Sequence, residues 1–169
     1  MNFSTITIKD IATALNLSVS TVSKALRDSY EISEATKKLI NDYAREHNYR
    51  PNPIAQSLKQ GSSKSIGIVV PSVANQFFSQ VINGIESVAY DAGFNVIITQ
   101  THESLEREIA NVGHLTHRSI DGLLISLSTE TEDIDHLKKL HQQGLPIVFF
   151  DRVSEEIETH KLTADNFKG

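Results

Sequence analysis

No cysteine occurs among the 169 residues. That absence removes disulfide frameworks, thiolate metal sites and cysteine nucleophiles together, and it fits a reducing cytosol. Long apolar runs are missing as well. Nothing approaches the roughly 20 consecutive apolar residues that cross a bilayer, and the opening segment, interrupted by Lys9, Asp10 and Asn16, has no signal-peptide core. A cytoplasmic protein without membrane contact is expected. Catalytic signatures are equally scarce. The stretch VPSVAN carries neither GxGxxG nor a P-loop lysine, which weakens a nucleotide-enzyme reading. Ser126 and Ser128 lack a GxSxG elbow. His114 with His117, and His136 with His141, have no HExxH or paired cysteines beside them. No catalytic residue, no metal ligand and no cofactor is expected.

What is present is ordinary in bulk and uneven in distribution. Hydrophobic residues make up 39% and charged residues 22%, as in soluble globular proteins. The formal net charge is −5, but residues 1–64 hold nine Lys and Arg against six Asp and Glu, a balance of +3, and residues 65–169 hold seven against fifteen, a balance of −8. A basic end joined to an acidic remainder hints at nucleic acid on one side and something else on the other.

The basic end reads as three short helices. Thr7 precedes Ile8, Ile11, Ala12 and Leu15, and Asp10 follows it by three, the pattern of a capping box. The first helix is predicted over about Ile8–Leu15. Ser18 can cap a second helix with Val22, Ala25 and Leu26 on one side. Ser33 starts a third, with Leu39, Ile40, Tyr43 and Ala44 as its buried stripe and Asn48 suited to a left-handed cap.

Beyond it, YRPNPIAQSLKQGSSKS contains Asn52 followed by Pro53, the preferred order for a cap and first helical position. The helix this allows, ending near Lys59, falls below the roughly 12 residues that isolated helices need in water. Good start signals without sufficient length point to folding on contact with a partner.

From Ser65 onward the apolar runs IGIVVP, FNVIIT, GLLIS and PIVFFD read as buried strands, with helical spacing over 75–92, 105–118 and 132–142 between them. Alternating strand and helix implies a parallel sheet. The fold class expected is an all-α helix-turn-helix unit over residues 1–50, a short helix and linker over 51–64, and an α/β parallel-sheet part over 65–169.

The second predicted helix is dense in hydroxyls: Ser18, Ser20, Thr21 and Ser23. Short polar groups let a helix enter the major groove closely and bond to phosphates or base edges, and Lys24, about one turn beyond Ser20, can share that face. A lone hydroxyl would merely decorate a solvated helix. The cluster behind a tight two-residue joint reads instead as a recognition helix.

IKDIATALNLSVSTVSKAL, ISEATKKLI, NYRPNPIAQSLK and SIGIVVPSVANQFF together closely resemble the lactose-repressor (LacI) family of bacterial transcription regulators. The resemblance runs from about Ile6 to the end. It implies a homodimer reading a palindromic double-stranded DNA operator under control of a small-molecule effector such as a sugar or nucleoside. Carried over by position, Val19, Ser20 and Lys24 fall at the base-reading places, and Thr7, Ser18, Thr21 and Ser23 at phosphate-holding ones, which position rather than specify. Asn52, Ala55, Leu58 and Lys59 fall on a hinge helix that orders in the minor groove, with Leu58 as an apolar wedge between base steps. The acidic part resembles the amino-terminal lobe of a periplasmic-binding-protein-like sensor. On it, Phe77 or Phe78 matches a ligand-stacking aromatic, and Ser126, Asp151 and Arg152 match polar contacts at the carboxyl ends of strands, where ligands of such sheets sit. Phe77 or Phe78 could equally pack the helix, and Arg152 could pair with a neighbouring acid. The family's second lobe would begin near Asp165 and Asn166, so only the first is expected here. The competing readings are a ligand-binding module whose amino-terminal helices serve oligomerisation alone, and an enzyme on a nucleotide-binding sheet.

Overall fold

The computed structural model describes residues 6–51 and 61–163. The chain divides into two compact units, Met1–Gln56 and Ser57–Gly169.

The first unit holds three helices: α1 (Ile8–Ala14), α2 (Val19–Ala25) and α3 (Glu34–Glu46). Each begins on a hydroxyl. Thr7 makes the complete capping box with Asp10, Ser18 accepts from the Thr21 N–H, and Ser33 accepts from the Thr36 N–H. Two end on asparagine. Asn16 (φ 53°) and Asn48 (φ 50°) take the left-handed conformation, and the Leu17 and Tyr49 N–H groups reach back to the Ala12 and Ala44 carbonyls at 2.9 and 2.8 Å, closing Schellman motifs. These caps matter because α1 and α2 have only seven residues each, too few to persist without neighbours. Their neighbours are one another: Ile11, Val22 and Ile40 are fully buried, with Ala12, Ala25 and Ala44 filling the remaining space.

The predicted stripe of α3 needs one correction. Leu39 is 52% exposed. The buried line runs through Lys37, Ile40 and Ala44, and Leu39 lies more than a third of a turn off its centre, at about 100° per residue. Lys37 instead lays its stem inward and pairs its ammonium with Asp28 at 2.7 Å and Glu34 at 2.9 Å.

The second unit alternates β1 (Ser65–Val70), α4 (Gln76–Asp91), β2 (Asn95–Gln100), α5 (Leu105–His117), β3 (Gly122–Ile125), α6 (Asp135–Gln142), β4 (Ile147–Phe150) and β5 (His160–Leu162). All pairings are parallel, in the order β2-β1-β3-β4-β5. Successive side chains leave a strand on opposite faces. Val69, Leu123, Ile125, Ile147 and Phe149 therefore meet Val112, Leu115 and Leu137 of α5 and α6 on one side. Ile68, Val70 and Phe150 meet Phe78 and Ile82 of α4 on the other.

Three expectations differ from the structure. The predicted third helix of the lobe starts at Asp135 rather than 132, after Ile134, which provides no side-chain cap. FNVIIT was expected to be buried, but β2 is an edge strand with Ile98 43% exposed. Finally, β5 was not anticipated. Its three residues HKL are an exposed or half-buried edge with no apolar run to announce them.

Candidate nucleic-acid interface and ligand face

Helix α2 has two unlike sides. Val22 and Ala25 are buried, which fixes its rotation, and Ser18, Val19 and Ser20 are consequently exposed at its amino end, with Val19 at 42%. Thr21, Ser23 and Lys24 are half-buried at the edge of that face. Much of the hydroxyl capacity is already engaged. The Ser18 and Thr21 hydroxyls lie 2.8 Å apart. Arg27 Nε donates to the Ser23 carbonyl at 3.0 Å, and its Nη2 donates to Ser23 Oγ at 3.2 Å. The Thr7 hydroxyl donates to Asp10 Oδ2 at 2.7 Å, and these Thr7 bonds hold the Asp10 carboxyl below its ordinary range. Lys24 pairs with Glu31; their side chains keep 39% and 46% of their surface in solvent, so releasing the ammonium to another anion costs at most about 1 kcal/mol. Val19 and Ser20 thus protrude, and the groups around them are pre-oriented. Asn52, Ala55, Leu58 and Lys59 lie outside the described residues.

On the second unit the predicted ligand residues gather at the carboxyl ends of the strands. Phe77 and Phe78 open α4, which Asn75 caps by accepting the Phe77 N–H at 2.8 Å. Phe78 is 5% exposed and meets Phe150 edge-on at 6.2 Å between centroids, so its ring belongs to the core, whereas Phe77 is 41% exposed. Ser126 is fully buried beyond β3, and its hydroxyl donates to Asp151 Oδ2 at 3.3 Å. Asp151 has φ 62°, a conformation that costs a non-glycine residue energy and that concentrates at functional sites. Arg152 is engaged elsewhere: its Nη1 and Nη2 grip the two oxygens of Glu103 at 2.6 and 3.1 Å, and Nη1 also donates to the Leu127 carbonyl at 3.1 Å. Glu103 further accepts the N–H and hydroxyl of Thr129, each at 2.8 Å. The guanidinium, opposed by partial burial and aided by Thr129, holds the Glu103 carboxyl down at about 2. One ion pair therefore laces together the loops that follow β2, β3 and β4.

Beneath them lies a buried polar cluster that sequence reasoning missed. Glu108 is fully buried, and its Oε2 accepts the Ser128 N–H at 2.7 Å and the Thr131 hydroxyl at 3.0 Å. Its Oε1 lies 3.2 Å from His136 Nε2 without an aligned hydrogen bond. Burial pushes this carboxyl up, but His136 and the Ser128 and Thr131 donors outweigh it and the group stays below its ordinary value. The Ser128 hydroxyl donates to Thr101 at 2.8 Å. Glu108 had a signal in the sequence: it stands four and seven residues before Val112 and Leu115, in the apolar stripe of α5. Glu103, beyond a strand end, had none. Among the described residues no group of three or more His, Asp or Glu could hold a metal ion, and no helix is long and apolar enough to cross a membrane.

Two family models match this chain. The model described as bacterial regulatory proteins, lacI family, matches residues 7–52, and that described as periplasmic binding proteins and sugar binding domain of LacI family matches residues 63–165. The HTH-type transcriptional regulator RegA of Clostridium saccharobutylicum is 32% identical over 162 residues, covering 96% of this chain and 48% of the relative. The HTH-type transcriptional repressor PurR of Vibrio atlanticus (strain LGP32) is 32% identical over 163 residues, with the same coverages. The crystal structure of the lac repressor dimer bound to operator and the anti-inducer ONPF superposes with a TM-score of 0.76 at 25% identity, covering 95% of this chain and 48% of that one. The chain spans about half the length of the curated relatives it matches.

Proposed function

The chain belongs to the lacI family of bacterial regulatory proteins, and on that premise we propose that it is the amino-terminal part of a transcriptional repressor that binds a palindromic operator as a homodimer under the control of a small-molecule effector. The observation that carries the reading is the division of α2. Its apolar side is spent on Ile11 and Ile40, and its amino end presents Ser18, Val19 and Ser20. A short helix held from behind, with small polar groups in front, can seat in a major groove. Val19, Ser20 and Lys24 read base edges in this proposal, and Thr7, Ser18, Thr21 and Ser23 approach phosphates.

Residues 1–50 form the reading head, 51–64 the hinge and linker, and 65–169 the first lobe of the sensor. In the hinge, Asn52, Ala55 and Lys59 contact the minor groove and Leu58 wedges a base step, widening the groove at the expense of stacking. The effector is a hydroxyl-rich small molecule of the sugar or nucleoside kind. Asp151 and the exposed Phe77 are its contacts on this lobe, with Ser126 orienting Asp151. Arg152, held by Glu103, acts mainly by fixing the rim. The match to a sugar-binding domain over 63–165 supports this part, and the repressors among the relatives support the direction of control.

The test is selection of duplexes from a random pool by the full-length gene product. A palindromic consensus is expected, with affinity falling steeply with salt as counterions are released. Leu58→Ala should then weaken operator binding and reduce DNA bending. Indifference to every duplex at low salt refutes the proposal, and unchanged affinity and bending in Leu58→Ala refute the hinge assignment.

A further inference from the structure

At the amino ends of the strands, opposite the ligand face, lies a carboxylate that the reading above does not use. Asp121 immediately precedes β3. Its Oδ2 accepts from the Ser62 hydroxyl at 2.6 Å and the Lys64 N–H at 2.7 Å, and its Oδ1 accepts from the Ser63 N–H at 3.0 Å. Three consecutive residues of the chain entering the lobe thus close on one side chain. The backbone reinforces the grip: the Asp121 N–H donates to the Ser65 carbonyl and the Asn95 N–H to the Lys64 carbonyl, both at 2.7 Å.

The arrangement is specific rather than incidental. Lys64 sits at φ 52°, a conformation that a non-glycine residue keeps only where its surroundings over-determine it. Its ammonium lies over the Phe94 ring, 4.6 Å from the centroid. Burial works against ionisation of Asp121, yet the surrounding donors outweigh it and hold the carboxyl below its ordinary range. At neutral pH the three bonds are therefore charge-assisted, the stronger kind.

The other end of β3 is the ligand face. The strand is paired on one side with β1, from Gly122 opposite Ile66 to Ile125 opposite Val69, and on the other with β4. Just past it the Ser126 N–H donates to the Val69 carbonyl at 3.0 Å. Asp121 and Ser126 thus bracket a strand hydrogen-bonded on both sides, about 16 Å from end to end at the usual rise per residue.

We infer that Asp121 is a positioning residue: its carboxylate fixes the point at which the segment leading to the DNA-binding unit enters the lobe, and preference for operator over random duplex depends on that anchor. The inference deepens the DNA-binding reading and rests on it. Its test uses the full-length gene product. Asp121→Asn keeps the shape but turns one acceptor into a donor, and Ser62→Ala removes one hydroxyl, which donates to Asp121 and also accepts the Lys64 N–H at 3.2 Å, without touching the lobe core, so that the Ser63 amide is its cleaner reporter. In Asp121→Asn, hydrogen exchange at the Ser63 and Lys64 amides should accelerate on the order of 10- to 100-fold, as expected for charged bonds lost. Affinity for the selected operator should fall by about tenfold or more, with affinity for a random duplex unchanged, since non-specific binding needs only phosphate contacts. Ser62→Ala should move both in the same direction by less, and it keeps the inference open to refutation if Asp121→Asn does not fold. Unchanged exchange overturns the inference. So does faster exchange with undiminished preference for operator over random duplex, which would make the contact merely structural. A wild-type protein that selects no duplex overturns the DNA-binding reading itself and this inference with it; a loss confined to the comparison of variant with wild type concerns Asp121 alone.

Discussion

Replacing Glu103 by Gln would test whether the rim of the proposed ligand face is held by charge or merely by shape. The substitution keeps the side-chain outline and one acceptor oxygen, and it removes the charge that Arg152 grips at 2.6 and 3.1 Å. The wild-type carboxyl lies at about 2 against an ordinary 4.5. At about 1.4 kcal/mol per tenfold, that depression would correspond to roughly 3 kcal/mol if the pair were dry. Both side chains are 42% exposed, so solvent screening reduces the contribution to about 1 kcal/mol. For a lobe of this size the melting temperature should fall by about 4–8 °C at pH 7. The pH dependence has a definite sign. A carboxyl depressed in the folded state contributes stability that is fully present above its unfolded value and is lost as pH falls through the folded one. The gap between Glu103→Gln and wild type should therefore be constant from pH 8 to about pH 5 and close progressively between about 4.5 and 2. It should also narrow with added salt. Thermal melts of both proteins across that range decide the matter. Equal melting at pH 7, or a gap that persists undiminished at pH 3, would refute the electrostatic account of the rim.

Ser18→Ala should remove the cap of α2 and cost the reading head about 1 kcal/mol, read as an earlier helical transition by circular dichroism; an unchanged transition would mean that packing of Val22 alone sets the helix start. Gly67→Ala should destabilise the lobe by about 1–3 kcal/mol, because the added Cβ would meet Leu115 Cδ1 at 2.9 Å, Ile120 Cδ1 at 3.1 Å and Leu123 Cδ1 at 3.3 Å. A urea midpoint equal to that of wild type would show that these side chains yield freely.

The proposed ligand face links two kinds of constraint. Asp151 sits in a left-handed conformation directly beyond β4, and His102 and Glu103 do the same beyond β2, at φ 51° and 66°. The Glu108 cluster, the Ser126–Asp151 bond and the Glu103–Arg152 pair supply the contacts that hold such backbone in place. A face preorganised in this way would lose little freedom on binding a ligand.

The order of helices and strands up to β4 was legible in the sequence because it rests on local chemistry. Hydroxyl caps at Thr7, Ser18 and Ser33, a left-handed asparagine at 48, and apolar runs bounded by polar helices each act within a few residues. The outward turn of Ser18, Val19 and Ser20, on which the proposed recognition face rests, was legible for the same reason, since the spacing of Val22 and Ala25 sets it once that side is buried. What only the tertiary structure decided depends on partners distant in the chain. Periodicity could not say whether Phe77 or Phe78 joins the core, because Phe150 makes that choice from 72 residues beyond Phe78. Nor could it commit Arg152 to Glu103 across 49 residues, or Asp121 to Ser62 across 59. An ion pair or an anchor of that kind comes into being only when a parallel sheet brings the ends of separate strands side by side.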